Sequence, residues 1–130
     1  MTKKNTGASE DSIHLAVADL LRLNFPQDAV ERHGVCWTTI EHRNARNAIE
    51  GHKRQQRGVK PGIPDLDFVW GGQSYRIELK TPIGSLSQDQ IDERVRYIAG
   101  GGRWALCRSA DDVINQLRRW DFPLRARIAA

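Results

Sequence analysis

The chain has little of what membrane spans and disulfide scaffolds are made from. Its 130 residues include two cysteines, one methionine and only 7% aromatics. No apolar run approaches the ~20 residues that a helix needs to cross a bilayer, which argues against a spanning helix. The first residues, MTKKNTGASED, lack the apolar core of a signal peptide, which predicts a cytoplasmic protein. Two cysteines do not make a disulfide framework. Cys36 and Cys107 sit in apolar, strand-like runs, and both are expected to be buried free thiols. Internal repeats and low-complexity segments are also missing. What remains, 39% hydrophobic and 28% charged, is the composition of one ordinary globular domain with a core of its own.

The formal charge of +4 is modest, but its distribution is uneven. Arg43, Arg46, Lys53, Arg54, Arg57 and Lys60 follow one another with Glu50 as the single acid among them. A basic stretch of this kind attracts a polyanion, although a solvated charged face is the plain alternative. For a second group, Arg118, Arg119, Arg125 and Arg127, the solvated face is the preferred reading.

Residues 1–8 are polar and are expected to be disordered. Ser9 suits the N-cap of a helix running to about Leu23, with Ile13, Ala16, Val17, Leu20 and Leu21 as its inward stripe. Glu10 lies one step along that stripe. Either it projects a carboxylate at the core edge, or it is an acid favoured by the helix dipole. Residues 35–41 (VCWTTIE) read as a strand. Residues 44–57 fit a short helix or a loop equally well. After Thr81-Pro82-Ile83-Gly84, Ser87 and Gln90 form a capping box, flanked by Leu86 and Ile91 as a hydrophobic staple. Ile91, Val95 and Ile98 continue as the expected inward stripe of that helix until Gly100-Gly101-Gly102 ends it. Residues 103–108 (RWALCR) read as a buried strand, and Ser109 caps a last helix with Val113, Ile114, Leu117 and Trp120 inward. Residues 121–130 read as a tail that either packs on the domain or reaches a partner. One sheet with helices on its faces is the economical arrangement.

The centre of interest is residues 58–80. Leu66–Trp70 and residues 74–80 are strand-like and are joined at Gly71-Gly72, a hairpin dipeptide. Glu78 and Lys80 are two apart, so they share a strand face while Leu79 points into the packing layer. Antiparallel pairing brings Asp65, at the start of the first strand, beside them. Two carboxylates and an ammonium on one surface suit a divalent cation and a phosphodiester. Hydrolysis needs charge neutralisation and a hydroxide near neutral pH, and Mg²⁺ or Mn²⁺ on hard oxygen ligands supplies both. Asp65 and Glu78 are such ligands, Glu10 is a third candidate, directly or through a water, and Lys80 could orient the water or stabilise developing charge. A lone Glu-x-Lys is more often a solvated ion pair. Pro64-Asp65 thirteen positions earlier strengthens the reading.

Pro64-Asp65 with Glu78-Leu79-Lys80 resembles the PD-(D/E)xK nuclease signature. The longer run from Arg57-Gly58 through Lys60-Pro61-Gly62-Ile63, followed by Thr81-Pro82 and Gly84-x-Leu86-Ser87-x-x-Gln90, resembles the VRR-NUC branch over nearly the whole chain. The resemblance implies a restriction-endonuclease-like α/β core, a central mixed β-sheet flanked by helices, occupying residues 9–120. It implies Asp65 and Glu78 as metal ligands, the Leu79 carbonyl and Glu10 completing the set, Lys80 as catalytic lysine and Gln90 beside the site. Stand-alone members resemble dimeric enzymes acting on branched DNA, which would make this a Holliday junction resolvase. Arg46, Lys53, Arg54, Arg57 and Lys60 would then contact DNA. The same chemistry would serve a nickase, a flap nuclease or a nonspecific nuclease. From other classes, a non-catalytic DNA-binding module or a structural domain with salt-bridged carboxylates competes. His42, Asn44 and His52 hint at an HNH nuclease, but its ββα context is missing. His14 and His33 read as surface or helix-packing residues, and the role of Asp67 is open.

Overall fold

A computed structural model describes residues 9–41 and 46–125. The elements are α1 (Glu10–Asn24), a 3₁₀ turn (Gln27–Ala29), α2 (Val30–His33), β1 (Cys36–Thr39), α3 (Ala48–Gln56), β2 (Leu66–Trp70), β3 (Gln73–Leu79), α4 (Gln88–Ala99), β4 (Arg103–Cys107) and α5 (Ala110–Arg119). The expected restriction-endonuclease-like α/β arrangement is what forms: a four-stranded sheet in the order β1-β2-β3-β4. The first two pairings are antiparallel and β3 pairs with β4 in parallel. No described helix is long and apolar enough to cross a membrane.

Local chemistry explains most boundaries. Ser9 accepts from the Ser12 N–H and starts α1 where expected. Gly71 and Gly72 both take positive φ, 59° and 77°, as a two-residue hairpin turn demands. Of residues 44–57, which fit a helix or a loop equally well by sequence, Ala48–Gln56 are helical, with Asn47 accepting from the Glu50 N–H as the N-cap.

The core lies on one face of the sheet. Phe68 of β2 and Tyr75 of β3 are cross-strand partners, as are Leu66 and Ile77. Phe122 joins them beneath α1 and α5. Its ring centroid is 4.8 Å from that of Tyr75, 5.0 Å from Trp70 and 5.7 Å from Phe68. Phe122 and Leu124 are buried, so of the two readings of the tail after Trp120 its described part packs on the domain. Arg125 is tied back through its N–H to Asn24. Residues 1–8 and 126–130 lie outside the described residues.

Several expectations fail for identifiable reasons. Cys36 is exposed, because β1 is an edge strand and its alternation buries Trp37 instead; Cys107 is buried as expected. In α1, Ala18 takes the buried place expected of Ala16, and Leu20 is half-buried. β4 is an edge strand that buries Ala105 and Cys107 but exposes Arg103. The largest failure is α4, where Val95 and Ile98 are 60% and 51% exposed and Glu93 is the buried residue. Glu93 turns toward Arg76 at 3.5 Å, and Arg76 also bonds Asp67 at 3.3 Å and covers the Tyr97 ring at 4.3 Å. A polar network, not the apolar stripe, faces α4 toward the sheet. This answers the open question of Asp67, which is an ion-pair partner of Arg76 two residues along from Asp65.

Candidate metal centre and active site

The register that pairs Leu66 with Ile77 sets Asp65 beside Glu78 one step further along the hairpin. Both are buried, 6% and 3% exposed, in a layer where an unpaired charge is costly. An Asp65 carboxylate oxygen accepts from the Leu79 N–H at 2.8 Å, which locks it onto the end of β3. The first turn of α1 then brings in Glu10, itself exposed to solvent. Glu10, Asp65 and Glu78 each offer an oxygen within 4.8 Å of the other two. Three carboxylates gathered this closely repel one another unless a cation sits among them, and hard oxygen donors of this kind suit Mg²⁺ or Mn²⁺. The residues present therefore fit the expected metal.

Gln90 completes the wall from the other side. Its side-chain N–H₂ donates to Glu78 at 3.3 Å, while its side-chain oxygen accepts from the Ser87 N–H at 2.9 Å. The capping box and the place beside the site are both real. Together with Gly62, Ile63, Ser87 and Asp89 these groups enclose a cavity of about 280 Å³. Lys80 follows directly after β3, is half-buried, and lies close enough to lower the Glu78 pKa by its charge.

Burial and the neighbouring Asp65 carboxylate together push the Glu78 pKa up to about 9; Glu10 adds repulsion and Lys80 opposes it. The folded-state value thus stands above the unfolded one. The stability that protonated Glu78 contributes is complete below the ordinary carboxylate range and is lost as pH rises toward about 9. Metal-free protein should accordingly melt at falling temperature as pH is raised through this window, and Mg²⁺ or Mn²⁺ should remove most of the decline. Melting scans in chelator and in metal test this. A flat or rising profile for the metal-free protein would contradict the charge arrangement.

Two solved structures share this architecture. One, described as a VRR_NUC domain protein, has a TM-score of 0.62 at 21% identity over 88% of each chain. This chain has the VRR_NUC fold. A second structure, described as a VRR_NUC domain, has a TM-score of 0.52 at 16% identity, covering 86% of this chain and 97% of the other. Neither a protein-family model nor a curated protein matches the sequence. The VRR_NUC fold was expected here from Asp65, Glu78, Lys80 and the glycines around them, and the backbone agrees.

The structure also adds residues that inspection of the sequence passed over. Arg108 donates to the carbonyls of Thr81, Pro82 and Gly84, holding the loop that follows Lys80. Only the strand-to-helix position of an arginine near a Gly-Pro loop could have hinted at this. Gly62 has φ +81° and packs directly on the Asp89–Gln90 backbone. The expected basic segment is only partly available: Glu50 holds Arg46 at 2.9 Å and Arg54 at 2.6 Å. Lys53, Arg57 and Lys60 are exposed. Arg43, His42 and Asn44 lie outside the described residues. His33 bridges Pro26 and Val35 as a packing residue, and the buried Nε2 of His14 has no described partner.

Proposed function

We propose that this protein is a metal-dependent endonuclease that hydrolyses phosphodiester bonds in structured DNA, acting as a homodimer on four-way junctions. The observation that carries the reading is the clustering of Glu10, Asp65 and Glu78 within 4.8 Å on the VRR_NUC fold, with Gln90 on Glu78. Asp65 and Glu78 would hold Mg²⁺ or Mn²⁺, with Glu10 and the Leu79 carbonyl as further ligands. Such an ion, when bound, neutralises phosphate charge and lowers the pKa of water. The chain's own contribution is to fix the carboxylates by burial and by the Leu79 N–H, to steer Glu78 through Gln90, and to place the Lys80 ammonium beside them. A DNA-binding module without chemistry has no need of two buried carboxylates.

The substrate class is tested by presenting labelled four-way junction, flap and linear duplex, with Lys80→Ala in parallel. Paired symmetric cuts confined to the junction, lost in the variant, are expected. Cutting of all three substrates would keep the nuclease and discard the junction preference, and binding without cutting would favour the non-catalytic module.

DNA would approach over α3, which buries none of its residues and leads through residues 57–64 directly into Asp65. Replacing Lys53, Arg57 and Lys60 together by Gln should weaken junction binding and lower the slope of log affinity against log salt by about 2–3, at roughly 0.7–0.9 per phosphate contact. Titrations at several salt concentrations measure it. An unchanged slope would place the DNA elsewhere.

A further inference from the structure

Lys80 reaches toward the carboxylates on a flexible four-carbon stem, and among the described residues its ammonium has no hydrogen-bond or ion-pair partner. Its backbone is well held. The Lys80 N–H donates to the Cys107 carbonyl at 3.0 Å, continuing the parallel register that pairs Leu79 with Cys107. The next residues along the two strands are therefore Lys80 and Arg108. Past Lys80 the chain turns at once, the Gly84 N–H donating to the Thr81 carbonyl at 3.1 Å. Pro82 and Ile83 are exposed, Ile83 at 74%, so apolar burial does not anchor this turn. Arg108 does. One guanidinium nitrogen, Nη1, donates to the carbonyls of Thr81 at 2.7 Å, Pro82 at 3.4 Å and Gly84 at 2.5 Å. Arg108 is fixed in its turn, because its N–H donates to Asp112 of α5 at 2.9 Å.

We infer that Arg108 is a positioning residue for Lys80: by clamping the turn of residues 81–84 it makes the wall against which the lysine stem is held. The contact that carries this lies at Gly84. A Cβ built there would stand 3.5 Å from Lys80 Cδ and 3.1 Å from Thr81 Oγ1, so the turn passes against the lysine stem at a residue with no side chain of its own. A lysine loses much rotamer freedom when it is ordered, and a stem without a wall beside it spreads its ammonium over many positions. The clamp suits the task. Hydrogen bonds from a charged donor are stronger than neutral ones, and a guanidinium keeps its charge throughout the working pH range. Arg108 acts through the turn and not on the substrate.

The test has a kinetic arm, which rests on the nuclease reading above, and a spectroscopic arm, which does not. Arg108→Met keeps a long side chain and removes its donors. It should lower kcat for junction cleavage by ~10–100-fold while KM stays within about twofold, the pattern of a misplaced catalytic group. Arg108→Lys, which restores a cation with three donors, should recover at least ~5-fold of that loss. In the second arm, ¹³C relaxation of the full chain reads the order of each lysine ε-methylene, with Lys80 assigned by its absence from Lys80→Ala. Lys80 should be more ordered than the exposed Lys53 in the wild type and should fall to the level of Lys53 in Arg108→Met. The first of these comparisons needs no variant, so it decides even if Arg108→Met does not fold. A wild-type Lys80 as mobile as Lys53, an Arg108→Met in which Lys80 keeps its order, or a loss that appears in KM alone would overturn the proposal. A wild type that cuts nothing, while Lys80 is ordered only with Arg108 present, would sink the nuclease reading and leave the positioning role standing.

Discussion

Glu78→Gln is expected to abolish cleavage and, at the same time, to raise the melting temperature of the metal-free protein. The two effects have one origin. Glu78 is 3% exposed and shares its surroundings with Asp65 and Glu10, so without a cation its charge is resisted until pH is near 9. An amide of the same shape accepts the Gln90 hydrogen bond yet carries no charge, which relieves the repulsion that burial amplifies. In a domain of this size ~1 kcal/mol moves the melting temperature by about 2–8 °C, so a rise of several degrees in chelator is the expected reading. Cleavage should fall by at least ~10³-fold, because a neutral oxygen is a poor ligand and contributes little to stabilising phosphate charge. Far smaller losses, or a lower melting temperature in chelator, would remove Glu78 from the centre of the site.

Gly62→Ala should be the most damaging single methyl group that can be added near the site. Gly62 has φ +81°, a region in which an L-residue costs roughly 1–2 kcal/mol. Its added Cβ would also overlap the carbonyl of Asp89 and press on the Gln90 N–H, both of them backbone. The first turn of α4 would have to move, taking Gln90 away from Glu78. Gly58→Ala is the matched control, since Gly58 has φ +87° but nothing near its missing Cβ. Urea unfolding should show ~1 kcal/mol lost for Gly58→Ala and about 2–4 kcal/mol for Gly62→Ala. Junction cleavage should fall by ~10-fold or more only for the latter, as misplaced catalytic groups do. Equal effects at the two glycines would mean that the close approach to α4 carries no functional weight.

The comparison between sequence and structure divides along the range of the interactions involved. The caps at Ser9, Ser87 and Ser109, the Gly71-Gly72 turn and the face shared by Glu78 and Lys80 depend on neighbours within a few residues, and they were legible. The gathering of Asp65 with Glu78 was legible because a hairpin converts spacing into register. Glu10 was legible from its own residues only as one of two readings, since its approach depends on how α1 crosses the end of the sheet and the helix dipole explained an acid there equally well. The family resemblance named it as a ligand, and it does join Asp65 and Glu78. The exposure of Cys36 follows from β1 lying at the edge, a fact of strand order. The same holds for α4. Its apolar periodicity is sound, but periodicity names a face that wants covering without saying what covers it, and Arg76 had already engaged Glu93 on the inner side.

Binding of a divalent cation by the three carboxylates is the central expectation. Mn²⁺ titrated calorimetrically into the protein should give saturable binding that is lost or greatly weakened in Asp65→Asn, whose fold is checked by its circular dichroism spectrum. Wild-type affinity retained in a folded Asp65→Asn, or no binding to the wild type, would contradict the assignment of Glu10, Asp65 and Glu78 as a metal centre.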